Sequence, residues 1–310
     1  MKKAFFIIII AYIVTTVIIL VINNNDNITE VNILTIKKQY SRIITKDEVI
    51  DIPIFLSEEK SFFIEPENIL DTRIKADNNE IEVNIQSIEN AYKKTTYQNE
   101  SYYLFYYKID FKEFNNSLLE MKFTNAFLSL SYNNETDIDL PIGNLNLCFR
   151  TIENFNHLDF KRMYSITNYE NNYNVVKAIY LELDNLTGDN ITIENISLLN
   201  DNLIPDINQI KSINFSPKYN VNFNELIPDY NSIIDDYSKG NDYSLNNNQK
   251  LLIPIKHIGD WQYINRFPLI ISYSYNDFNY QYIIDDYLFF SSINELGNDS
   301  YEKSIYNYKY

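Results

Sequence analysis

Glycine is scarce here, with five residues in 310, and the chain has eight prolines, two histidines, one tryptophan and one cysteine. The lone Cys148 excludes an internal disulfide. It sits in the apolar run Leu145-Asn146-Leu147-Cys148-Phe149, where a buried, inert thiol is expected. His157 and His257 lie in neither H-x-x-x-H nor H-E-x-x-H, which argues against a zinc hydrolase. There is no G-x-S-x-G elbow, and so few glycines leave little material for strained catalytic turns. Clustered Lys and Arg are missing too. The chain has 26 basic residues against 42 acidic ones, for a net charge of −16. Such a chain repels nucleic acid and anionic headgroups. The sequence therefore assigns no catalytic residue, no cofactor, no metal ligand and no nucleic-acid partner.

What is present begins with Ala4 to Ile22, an apolar run without charge, Gly or Pro, directly behind Lys2 and Lys3. As a helix it reaches about 28 Å, close to the hydrocarbon thickness of a bilayer. In lipid only a helix pairs all its own backbone groups, which overrides the strand preference of Ile and Val. Lysines before the run, with Asp26 and Glu30 after it, place the N-terminus in the cytoplasm and the rest outside. A cleaved signal fits less well. The run is longer than a signal core and ends in Asn23-Asn24-Asn25-Asp26-Asn27 without a small-x-small site. Ala11 and Thr15 make only a weak helix-pairing motif without glycine. The lipid bilayer is the one partner the sequence names outright. A protein partner at the cell surface is a further expectation.

Beyond the spacer, alternation with period two dominates. Tyr103, Phe105, Tyr107, Ile109 and Phe111 share one face of a strand, and Tyr102, Leu104, Tyr106, Lys108 and Asp110 share the other. Ile81, Val83 and Ile85 alternate with Glu80, Glu82 and Asn84; Leu128, Leu130 and Tyr132 alternate with Ser129 and Ser131. Ile179, Leu181 and Leu183 lead through Asn185-Leu186-Thr187-Gly188-Asp189 into Ile191 and Ile193, which predicts a hairpin. Leu269 to Tyr275, Asn276-Asp277 and Phe278 to Tyr282 predict a second hairpin with a type I′ turn. Pro53, Pro141, Pro254 and Pro268 each sit between apolar residues, and mark edge strands, strand starts or bulges.

The pattern predicts a mainly β fold: an N-terminal transmembrane helix, then tandem antiparallel β-sandwich domains of the immunoglobulin-like kind. The expected organisation is a stub, helix (4–22) and spacer over 1–27, then a first sandwich over 28–151. A second sandwich follows over 158–295, with a long polar insertion at about 200–250 that has room for short helices near 207–213 and 232–237. A flexible tail over 296–310 ends the chain. No register aligns the two halves by sequence. The richness in Asn, Ile, Tyr and Lys suits a low-GC, bacterial genome, and discounts sequons such as Asn99-Glu100-Ser101 and Asn190-Ile191-Thr192.

Three weaker chemical signals remain. Asp137 with Asp139, Asp235 with Asp236, and Asp285 with Asp286 are carboxylate pairs at the scale of glycoside hydrolysis. In a chain this acidic a solvated rim accounts for such pairs. Asp229, Asn231, Asp235, Asp236, Asn241 and Asp242 are oxygen ligands for calcium, yet Ile233 spoils the ligand spacing. Trp261 and Tyr263 are rings for stacking a sugar, or fillers of a sandwich core. Function is thus expected to be non-enzymatic: a membrane-anchored, extracytoplasmic interaction module or accessory subunit of a cell-surface complex. A carbohydrate-binding or carbohydrate-hydrolysing surface protein is the alternative.

Overall fold

The structure, a computed structural model, describes residues 30–45, 48–77, 79–111, 119–170, 173–214, 243–245, 249–258, 266–288 and 303–309. The fold is mainly β. Among the described residues no helix is long and apolar enough to cross a membrane. The apolar run 4–22 lies outside them, as do the calcium-type loop 229–242, the segment 232–237, and Trp261 and Tyr263.

The first half holds β1 (Glu30–Ile36), β2 (Lys38–Ile44), β3 (Ile50–Leu56), β4 (Ile69–Ala76), β5 (Asn79–Tyr97), β6 (Glu100–Phe111), β7 (Leu119–Tyr132) and β8 (Asp137–Phe149). They pair in the order β1-β3-β6-β5-β4-β7-β8-β2. Only Lys37 separates β1 from β2, which nevertheless lie at opposite ends of this order. The path therefore doubles over into two layers. Ile33, Ile54, Phe105, Tyr107 and Ile109 from one layer and Ile74, Leu128, Leu130, Leu140 and Leu145 from the other share one core. Closure ends in a parallel ladder between β2 and β8, Lys38 opposite Gly143 through Ile44 opposite Phe149. Gly143 (φ +103°) makes that approach possible, since a Cβ there would stand 2.0 Å from the Lys38 carbonyl oxygen.

The second half holds β9 (Leu158–Glu170), β10 (Tyr173–Asn185), β11 (Ile191–Ser197), β12 (Leu203–Pro205), β13 (Lys211–Ser212), β14 (Tyr243–Leu245), β15 (Gln249–His257), β16 (Arg266–Tyr275) and β17 (Phe278–Leu288). One sheet runs β12-β15-β10-β9, with β13 also on β15, and the other runs β14-β11-β16-β17. Leu181, Leu183, Leu251 and Ile253 from the first and Ile191, Ile193, Leu269 and Ile271 from the second make a common core. Within the polar stretch after residue 200, the helix expected over 207–213 is instead a single 3-10 turn, Ile207–Gln209, followed by the two-residue strand β13.

One expected hairpin is also corrected. Residues 179–193 do not form a hairpin: β10 and β11 belong to different sheets. Alternation places Leu183 and Ile191 toward the core in either arrangement, so periodicity alone cannot separate a hairpin from an arch between layers. The arch is tied by buried Asn185. Its Nδ2 donates to the Asp189 carbonyl at 2.6 Å and the Leu245 carbonyl at 3.0 Å, and its Oδ1 accepts from the Thr187 amide and hydroxyl. Within the stretch expected as a tail, residues 303–309 are in a strand. Those residues form β18 (Lys303–Lys309), paired antiparallel along all of β1. Its main-chain groups cover the edge that β1 would otherwise expose, and Tyr306 packs against the first core.

The prolines follow the ladder gaps. Pro53 lies just past the end of the β1–β3 ladder, and Pro141 just before the β2–β8 ladder. Pro254 falls between the stretches of β15 that pair with β12 and with β13. Pro268 sits at the bulge between Phe267 and Leu269. A residue with no N–H is thus placed wherever the neighbouring strand asks for none.

Candidate functional cleft beside the junction

The strand pair β16–β17 builds the site. Its hairpin turns through Asn276 (φ 50°) and Asp277 (φ 64°), with Tyr275 opposite Phe278, the left-handed pair a type I′ turn requires. The register then sets three outward pairs along one face: Ser274 with Asn279, Ser272 with Gln281, and Ile270 with Ile283. Side chains two apart share a face, so polarity changes from one end of this face to the other.

The apolar end is covered by the first half. Ile270 and Ile283 pack with Ile43, Cys148 and Leu199 in a separate buried cluster. Cys148 is 1% exposed, and its thiol pKa is raised, first by burial and then by the charge of Glu120. It is a packing residue of the junction. Around it Asn146 donates to the Leu199 carbonyl at 3.0 Å, and Asn200 donates to the Ser41 hydroxyl at 3.1 Å. Asn154 completes the seal. Its side-chain amide exchanges two hydrogen bonds of 2.8 Å with the backbone of Ile283, as a neighbouring strand would. That fixes segment 150–157 along the outer edge of β17.

Next to this seal the face opens. A cleft of about 530 Å³ is lined by Arg150, Glu153, Phe155, Glu194, Ser272 and Gln281, and by Thr151, Asn279 and Tyr280. That is within the usual size of small-ligand sites. Arg150 follows the last residue of β8; its backbone amide donates to the Ile44 carbonyl, and its Nη1 donates to Gln281 Oε1 at 2.8 Å across the junction. Its Nε is buried without a hydrogen-bond partner in the protein. Such a donor costs free energy unless something accepts from it. Glu194 occupies a β-bulge. The register of β11 with β16 jumps between Ile193 and Asn195, which leaves Glu194 unpaired in the ladder and aims it over the cleft. Phe155 is 49% exposed, yet it is braced. It stacks on His157 with centroids 5.8 Å apart, and meets the Tyr280 ring edge-on at 5.0 Å. His157 is itself positioned by Tyr273, whose hydroxyl lies 3.1 Å from Nδ1. The cleft thus joins a fixed ring, an arginine and two carboxylates in one concavity.

The residues singled out from sequence do not gather here, His157 apart. Asp137 and Asp139 share the outer face of β8, both exposed, and Asp139 accepts from the Ser129 hydroxyl. Neither lines the cleft, so a rim role accounts for them. Asp285 is half-buried on β17, and the side chain of Asp286 lies outside those described. His257 is buried elsewhere, its Nε2 donating to the Val176 carbonyl at 2.6 Å. Among the described residues no group of three His, Cys, Asp or Glu side chains is placed to hold a metal ion. Sequence reasoning missed Arg150, Glu153, Phe155 and Glu194. The gap between the two expected sandwiches, 152–157, supplies a wall of this cleft. No known protein-family model and no curated protein matches the sequence.

Proposed function

We propose that this chain is a single-pass membrane protein whose two immunoglobulin-like sandwiches stand outside the cell as a non-enzymatic binding module. The N-terminus is cytoplasmic, the run 4–22 is the anchor, and the sandwiches span 28–151 and 158–295. The reading of the anchor rests on length, flanking lysines and the acidic body beyond. The immunoglobulin-like reading rests on the pairing order. In the first half β1-β3-β6-β5 faces β4-β7-β8; in the second β9-β10-β15 faces β11-β16-β17. With β12 added beside β15, these orders are compatible with that fold, in which one sheet carries four strands and the other the third, sixth and seventh.

The observation that carries a recognition role is the cleft: a braced, exposed ring beside an arginine and two carboxylates in one concavity next to the junction. A concavity with an apolar plate and a few convergent polar groups is the usual make-up of a binding site. The test is photo-crosslinking on intact cells, with the reactive side chain placed at Phe155 and, as control, at exposed Glu59 on the other half. A specific adduct at 155 alone supports the module. Equal adducts at both positions, or a body resistant to protease added outside the cell, overturn it.

A further inference from the structure

We propose that the cleft takes a neutral sugar unit of an oligosaccharide, with one C–H face on Phe155 and its hydroxyls shared among Arg150, Glu153 and Glu194. This rests on the binding-module reading and gives it a ligand class.

The donor and acceptor inventory argues it. Arg150 only donates, Glu153 and Glu194 only accept, and Ser272, Asn279, Gln281 and Thr151 do both. A ligand satisfying all of them needs groups that donate and accept at close spacing. Vicinal hydroxyls are that chemistry: each donates a hydrogen bond to a carboxylate and accepts one from the guanidinium. The ring adds a second requirement. Phe155 is held by His157 on one side and Tyr280 at its edge, so it keeps an orientation without ligand. A preorganised apolar plate among polar groups suits a molecule that is apolar on one face and hydroxylated around its rim.

Charge rejects acidic candidates. The two carboxylates outnumber the one guanidinium, and the whole chain carries −16. An acidic sugar, a phosphate or an acidic peptide meets net repulsion. An extended peptide adding to the β17 edge finds Ile283 already paired with Asn154. The floor of Ser272 and Gln281 excludes a purely apolar guest, because it would strand their polar groups.

The test titrates the full chain in lipid nanodiscs with maltotriose, with triacetylchitotriose and with anionic trigalacturonate, read by saturation-transfer NMR. One or both neutral trisaccharides bind, and trigalacturonate binds more weakly. Phe155→Ala weakens the binding about tenfold, and Glu194→Gln, which keeps shape and removes charge, weakens it about fivefold. Retained binding in both variants, preference for trigalacturonate, or no binding of either neutral sugar at millimolar concentration overturns the proposal. If the sugars fail while crosslinking at residue 155 captures a cell-surface protein, the sugar falls and the module stands.

Discussion

The two halves of the molecule solve the same crossing differently. Each must carry the chain from one layer to the other after its second core strand, from β3 to β4 in the first half and from β10 to β11 in the second. In the first half the crossing is long, and an apolar turn plugs it. Two 3-10 turns, Phe62–Ile64 and Pro66–Asn68, insert fully buried Phe63, whose carbonyl accepts from the Tyr107 hydroxyl at 2.5 Å. In the second half the crossing is short and polar, and one amide, Asn185, satisfies it. The positive-φ glycines divide likewise. Gly143 stands where two backbones touch, whereas a Cβ at Gly188 (φ +78°) meets nothing within 4 Å. A crossing between layers therefore tolerates both an apolar plug and a polar tie.

The largest break in this comparison is Gly143→Ala. The added carbon cannot coexist with the Lys38 carbonyl, so the β2–β8 ladder must part. Urea unfolding is expected to show a loss above about 4 kcal/mol, and a loss under about 1 kcal/mol contradicts the close approach. Phe63→Ala follows, at about 3–4 kcal/mol, because it leaves a cavity under the first crossing. Asn185→Ala is expected to cost about 2 kcal/mol, since it leaves buried carbonyls of the second crossing without a donor. Gly188→Ala should cost only about 1 kcal/mol, the penalty of a left-handed residue in open space. Equal costs at Gly143 and Gly188 would erase the distinction between the halves.

Much of this fold was legible because alternation and turn chemistry are local. The β16–β17 hairpin followed from Asn276-Asp277, and the inward faces of β6 and β7 followed from period two. The crossing at 185–191 was not legible, since an arch and a hairpin present the same apolar pattern. Nor was the strand at 303–309, whose Ile305 and Tyr306 read as a polar tail until β1 supplies the other side of the ladder. The same turns recast the asparagine richness of the chain. With five glycines, left-handed positions fall to Asn99, Asn125, Asn276 and Asp277 among others. The cleft was illegible for a different reason. Its wall comes from a break in the pattern and its floor from residues more than a hundred positions later, so only the junction brings Arg150 to Gln281.

The smallest expected effect is alkaline. Tyr102 in the first half has its pKa pushed up to about 12, by burial first and the hydrogen bond to Glu100 second. Tyr273 in the second is pushed up to about 12, by burial first and then by Tyr280 and Tyr282. A folded pKa above the unfolded value of 10.0 favours the native state below pH 10, and the advantage is lost as pH rises from there toward 12. Urea midpoints in both halves should therefore fall over that interval. Midpoints that hold steady to pH 12 would contradict the buried hydroxyls.

Amide hydrogen exchange at Ile283 tests the central claim most directly, that segment 150–157 is fixed against β17 and so builds the cleft wall. That amide points away from β16, toward Asn154, at the sheet's edge. It is expected to be protected in the full chain, and to lose protection in Asn154→Ala while amides of the β11–β16 ladder keep theirs. Exchange at the rate of an open edge in the unmodified protein would mean that the wall, and with it the site, does not exist.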